Sequence, residues 1–150
     1  MRLFIGFLLL SGVVAVAGEP QAGAKEKEAL QGLWQAVDLE ANGQKAPAEA
    51  AKVFQIQFKG DQIVFNPAAE NRRHTFAINP AAKPKAMDLT TGDGPKKGRT
   101  LPCAIYKLDG DKLVICIDKE GTHGKRPTEF KTKAGDGLAL ITLERVKQAK

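Results

Sequence analysis

The stretch that decides the fold is Leu30-Gln31-Gly32-Leu33-Trp34. It carries the only tryptophan, follows a polar lead-in and opens the first strand-like run, Leu33 to Glu40. We expect this stretch to form the seam of a small β-barrel, on the strength of the resemblance given below.

Upstream of this stretch the chain changes character. Arg2 gives a positive start, Leu3 to Ala17 is an uncharged and mostly apolar run, and Ala15-Val16-Ala17 is a small-x-small cleavage pattern. These are the parts of a secretory signal peptide, predicted over residues 1–17. The run of 15 residues falls short of the roughly 20 that a spanning helix needs; an uncleaved anchor is the competing reading. Leu10-Ser11-Gly12 approaches a lipoprotein pattern, but Val13 stands where the lipidated cysteine would be. The expectation is an exported protein, in the periplasm, the envelope or outside the cell, with no transmembrane anchor after cleavage. Residues 18–29 read as a flexible lead-in, with at most a short helical turn near Glu26–Leu30.

Residues 30–146 form one domain by length, with 147–150 a basic tail. A hydrophobic content of 43% excludes wholesale disorder. Cleavage after Ala17 removes one of the 23 basic residues, Arg2, and none of the 17 acidic ones, leaving a net charge of +5. That charge is spread thinly, without a Lys/Arg block or interleaved aromatics, so specific nucleic-acid recognition is not expected. Weak attraction to anionic envelope components is.

Downstream, strands follow one another with short connections. Asn42-Gly43 marks a turn, and Pro47 to Lys52 is the one short helix expected. Val53–Lys59 and Gln62–Asn66 form a hairpin; a turn at Lys59-Gly60 pairs Ile56 with Ile63 and Phe54 with Phe65, all on one face. Arg73–Asn79 puts His74, Phe76 and Ile78 on one parity, and Lys85–Thr90 follows. Gly92 to Arg99 is a cationic hairpin loop; it lacks Walker spacing and leads into a strand, not a helix. Thr100–Leu108 and Asp111–Asp118 pair across Asp109-Gly110, and Arg126–Lys131 and Leu138–Arg145 complete the set. The fold class is therefore all-β: a single up-and-down antiparallel β-barrel of 8–9 strands, because closure removes exposed edges. A two-sheet sandwich is the alternative architecture.

Cys103 and Cys116 are the only cysteines. A two-residue turn at Asp109-Gly110 makes Leu108 oppose Asp111 and brings Cys103 opposite Cys116, at a non-hydrogen-bonded position within disulfide range. Such a bridge would contribute roughly 2–3 kcal/mol in an exported protein. Two buried free thiols are the competing reading, and a one-residue bulge would misalign the pair.

Little chemistry stands out. His74 and His123 with the two cysteines have no zinc-type spacing, so neither a metal nor a cofactor is expected. A cysteine nucleophile needs an electropositive, partly exposed setting, and both cysteines sit in apolar strands. Asp38, Glu70, Asp88, Asp118 and Glu129 are strand or strand-edge acids, and nothing singles out the pair a hydrolase would need. No catalytic residue is assigned, and the reading leans away from an enzyme. Trp34, Phe54, Phe76 and Tyr106 could line a lumen or simply pack the core.

Gly32-x-Trp34 resembles the opening of lipocalin-like (calycin) barrels. That resemblance implies that Trp34 lies at the barrel base beneath an arginine of the last strand, here Arg145; stacking and cation–π attraction make the pair physically sensible. A wider set of motifs spans Leu30 to Arg145: Phe58-Lys59-Gly60-Asp61, Pro84-Lys85-Ala86-Met87-Asp88-Leu89-Thr90, Gly94-Pro95-x-Lys97-Gly98-x-Thr100, Ile105-Tyr106-x-Leu108-Asp109-Gly110-Asp111-x-Leu113 and Arg126-Pro127-Thr128-Glu129-Phe130. In this order they resemble a family of small exported planctomycete proteins. The resemblance implies a lipocalin-like domain and transfers no catalytic residue. In the last string Arg126 and Glu129 read either as a charged rim meeting a ligand or as residues paired with neighbours.

These readings lead to an exported, monomeric binding module for a small, partly apolar ligand or envelope component, with Tyr106, Arg126 and Glu129 as candidate contacts. A structural envelope protein with a packed barrel is the alternative, and a hydrolase of envelope polymers ranks last.

Overall fold

The computed structural model describes residues 19–69, 73–95, 97–118 and 125–148. The signal segment, Glu70, His123 and the last two residues of the basic tail lie outside them. The chain runs α1 (Glu19–Leu30), β1 (Gly32–Ala41), β2 (Gln44–Lys45), α2 (Ala48–Lys52), β3 (Gln55–Lys59), β4 (Gln62–Phe65), a 3-10 turn (Pro67–Ala69), β5 (Arg73–Asn79), β6 (Lys85–Thr91), β7 (Thr100–Asp109), β8 (Lys112–Asp118) and β9 (Leu138–Arg145). Every sequential pair from β3 to β9 is antiparallel, β1 pairs with β3, and β9 returns to β1. The result is a closed eight-stranded up-and-down barrel, with β2 an added strand beside β1.

Period-two alternation builds the interior. Trp34, Ile56, Phe58, Ile63, Phe76, Met87, Tyr106, Leu113, Ile115, Ile141 and Leu143 all belong to one buried cluster. Each comes from the inward parity of its strand, as a half-buried sheet requires. Phe58 and Phe76 meet edge-to-face at 5.1 Å between ring centroids.

Both tight hairpins turn one residue later than the sequence suggests. Lys59 pairs with Gln62 and Asp109 with Lys112, so the loops are Gly60-Asp61 and Gly110-Asp111. The reason is backbone handedness. Gly60 (φ 60°) and Gly110 (φ 57°) take the left-handed conformation at the first loop position, which a two-residue hairpin turn favours for glycine. Ile56 therefore pairs with Phe65, and Phe58 with Ile63. The slip changes each partner by two residues, so the apolar faces survive it. At Asn42-Gly43 both residues are left-handed (φ 52° and 74°), the geometry of a type I′ turn, and Ala41 pairs with Gln44 across it.

Three further expectations are corrected. The lead-in is no flexible tether: most of it is α1, a helix of 12 residues. Its last residue, Leu30, is fully buried in the core, and that docking stabilises a helix too short to persist alone. Among the described residues α1 is thus added to the expected short helix, α2, and to a 3-10 turn. Arg126–Lys131 is not a strand, because β8 pairs directly with β9 and leaves no slot between them. The segment instead lies against the outer wall, where the Cys116 Sγ sits 3.9 Å from the Lys131 carbonyl oxygen.

The disulfide is the third. Cys103 and Cys116 are both free and buried. The shifted hairpin sets Ile105, not Cys103, opposite Cys116. In addition, Met87 pairs with Ala104 but Leu89 with Leu101, so Pro102 and Cys103 together face Asp88 in a bulge. Proline, which has no N–H to give to a ladder, is at home there. The bulge turns Cys103 into the lumen, while Cys116 alternates with the inward Ile115 and Ile117 and faces out.

Candidate functional site

One end of the barrel is shut. Strands β1, β4, β6 and β8 start there, and α1 lies against it. Lys27 bonds Asp61 and sits 5.4 Å from the Phe76 ring centroid, and Lys85 bonds Glu26 at 2.6 Å. Gln31 is held on both sides of Gly60, accepting from its N–H at 2.7 Å and donating to its carbonyl at 3.1 Å. Arg145 and Trp34 form the centre of this closure. Gly32, whose φ of 116° suits glycine, lets the chain turn from α1 into β1 beside the guanidinium. Trp34 is fully buried, and its indole N–H donates to the Leu30 carbonyl at 2.8 Å.

Tyr106 belongs to this closed half. It is inward-facing and 1% exposed, packed in the core. Its hydroxyl faces Glu26 without a hydrogen bond of acceptable geometry. Burial first, and then the Glu26 carboxylate, push its phenol pKa well above the usual range.

The other end is open. A cavity of about 400 Å³ is lined by Leu39, Ala41, Phe54, Phe65, Leu89, Ile117, Ala139 and Ile141, with Ala46 at the side. Its polar lining consists of Glu40, His74, Thr91, Cys103 and Asp118. The volume falls within the usual range for small-molecule sites, about 300–1,000 Å³, and the chiefly apolar lining fits that class. Phe65 stands between Phe54 (6.5 Å) and His74 (5.8 Å) and gives one wall an aromatic surface.

Cys103 is 4% exposed. Burial, opposed by a backbone hydrogen bond with Leu89 and reinforced by Asp88, pushes its thiol up to about 11. A thiol held protonated at neutral pH is a poor nucleophile, although His74 lines the same cavity. Burial likewise raises Cys116 on the outer face. Glu40 is engaged by the Thr132 hydroxyl, which also accepts from the Gly43 N–H at 2.8 Å. Among the described residues no three His, Cys, Asp or Glu side chains group as a metal site. No described helix is long and apolar enough to cross a membrane.

The expected contact residues lie elsewhere. Arg126 is on the outer wall: it donates to the carbonyls of Met87 (3.1 Å) and Ala104 (2.8 Å) and pairs with Asp88. These bonds tie it to both strands of the β6–β7 ladder at the bulge. Glu129 is exposed on the covering segment. Of the four candidate lumen aromatics, only Phe54 lines the cavity; Trp34, Phe76 and Tyr106 pack the closed half. The lining residues Phe65, His74, Leu89 and Ile117 carried a legible signal, their inward parity. Which end of the barrel they would leave open depended on α1. In comparison with known proteins, no family model, curated sequence or solved structure matches this chain.

Proposed function

We propose that this protein is an exported, lipocalin-like binding module that holds one small, partly apolar molecule in the open half of its barrel. The observation that carries the reading is the cavity of about 400 Å³, open at one end and closed at the other by α1 and the Trp34–Arg145 contact. A barrel of eight strands has room for packed side chains or for one small ligand, and here the lower half is packed while the upper half is hollow. At the roughly 30 Å³ that a water molecule occupies in the liquid, the space suits a ligand on the order of a dozen non-hydrogen atoms. The export part of the reading rests on residues 1–17 and the lipocalin-like part on Gly32, Trp34 and Arg145.

Native mass spectrometry of protein purified from its source, together with displacement of an environment-sensitive apolar dye, tests the reading. A co-purifying small molecule that competes with the dye is the expected result. No co-purified species, no dye binding and no thermal shift across a panel of lipids and apolar metabolites would reject it.

A further inference from the structure

The two ends of the barrel differ in how their cations are gathered as well as in closure. At the closed end, Lys27 pairs with Asp61, Lys85 with Glu26 and Arg145 with Asp111, while Lys25, Lys59 and Lys112 form no ion pair among the described residues. At the open end, Lys45 pairs with Asp38. Arg73, Lys97, Arg99, Lys131 and Lys133 are exposed there, and none forms an ion pair among the described residues.

The backbone gathers three of these at one side of the mouth. The Gly92 N–H donates to the Arg73 carbonyl at 3.0 Å, and the Thr91 N–H donates to the Arg99 carbonyl at 3.0 Å. The Gly98 N–H returns to the Thr91 carbonyl at 2.8 Å, which folds the Lys97 loop back over the same spot. Thr91 and His74, the neighbours of Gly92 and Arg73, both line the cavity. Arg73, Lys97 and Arg99 therefore ring the apolar opening on the β5–β6–β7 side. Lys131 and Lys133 flank Thr132, which is tied to Glu40 and Gly43 at the β1 side of the same opening.

We propose that this rim is a docking surface for an anionic lipid bilayer. An apolar opening flanked on two sides by exposed basic residues, with Asp93 and Asp136 among them, matches a surface of anionic headgroups over hydrocarbon. Each basic side chain brought close to such a surface adds attraction, and the attraction falls off within a Debye length. Docking by this end sets the cavity against the lipid phase in which an apolar ligand dissolves. Docking does not require the cavity to be occupied, so it stands or falls separately from the ligand reading.

Flotation of the mature protein with vesicles of phosphatidylcholine, alone or mixed with phosphatidylglycerol, tests the proposal. The expected result is binding to the mixed vesicles only, strong at 50 mM salt and lost at 500 mM. The triple variant Arg73→Glu, Lys97→Glu, Arg99→Glu should weaken it at least about tenfold. A closed-end control, Lys25→Glu, Lys59→Glu, Lys112→Glu, carries the same net charge and should stay within about threefold of the parent. Equal loss in both triple variants would overturn the proposal, since net charge alone would then explain binding. So would retention of soluble polyglutamate without retention of the mixed vesicles. Circular dichroism and the thermal midpoint report whether the rim variant folds; the milder Arg73→Gln, Lys97→Gln, Arg99→Gln variant serves if it does not. Dye binding in vesicle-free buffer, expected unchanged in the rim variant, separates failure of docking from failure of the ligand reading.

Discussion

The Arg145 guanidinium lies 4.2 Å over the Trp34 ring, at the register position where the last barrel strand meets the first. It also donates to the carbonyls of Gln31 (2.6 Å) and Ala29 (2.7 Å) and, through Nε, to Asp111 (2.8 Å). One side chain thus covers the indole, satisfies carbonyl oxygens at the end of α1 and bonds the β7–β8 turn. Arg145→Lys keeps the charge but loses the planar fork. It should destabilise the protein by about 2 kcal/mol, and Arg145→Ala by about 3 kcal/mol. Urea denaturation followed by Trp34 fluorescence measures both. Gly32→Ala at the same corner should cost about 1–2 kcal/mol through its backbone conformation.

Thiol counting under denaturing, non-reducing conditions should find two free thiols, and reductant should leave the denaturation midpoint unchanged. One bridged pair would contradict the outward-facing Cys116 and lumen-facing Cys103.

Cys103 should make stability fall in alkali. Its folded pKa is raised to about 11 from an ordinary 9.0. Between those values the unfolded chain loses a proton that the folded protein keeps, so unfolding is favoured as pH rises through this window. The loss should reach about 2 kcal/mol by pH 11, at about 1.4 kcal/mol per unit over most of the window. Comparing the parent with Cys103→Ala from pH 8 to pH 11 isolates the effect from other titrating groups; the variant should show the flatter profile.

Arg126 and Glu129, three residues apart in the string Arg126-Pro127-Thr128-Glu129-Phe130, should behave differently. Arg126→Ala removes three donor contacts at the bulge and should cost about 2–3 kcal/mol, without changing dye affinity beyond about twofold. Glu129→Ala should stay within about 0.5 kcal/mol of the parent, as exposed substitutions do. Chemical denaturation and dye titration read both.

Filling the mouth should separate binding from folding. Ala139 and Ala41 face each other across β9 and β1, and both line the cavity. Ala139→Phe should reduce dye affinity at least about tenfold and move the midpoint by only a few degrees, because it fills empty space. Tyr106→Phe in the packed half should leave dye binding unchanged and be neutral or mildly stabilising, since it removes a buried hydroxyl without a hydrogen-bond partner.

Much of the fold was legible because its signal is local. His74-Phe76-Ile78 and the hairpin set Phe54, Ile56, Ile63 and Phe65 show their inward faces by alternation alone, and alternation survives a slip of two residues. Trp34 and Arg145 were legible as partners only through a resemblance. The α1 helix was not legible: its Gly, Ala, Glu and Lys residues show no apolar stripe, and it is held by Leu30 and by bonds from Arg145, Lys85 and Gln31.

By itself, then, the sequence determined an antiparallel meander, the inward face of most strands and the Asn42-Gly43 turn. All of these follow from period-two patterning and residue-specific backbone preference. Only the tertiary structure decided the register of the two tight hairpins, the bulge that parts Cys103 from Cys116, the place of Arg126 on the outer wall and the end left open. Each of those depends on which loop residue turns left-handed, or on which distant segment docks against the barrel. Contacts made across long stretches of chain set both, and no local pattern records them.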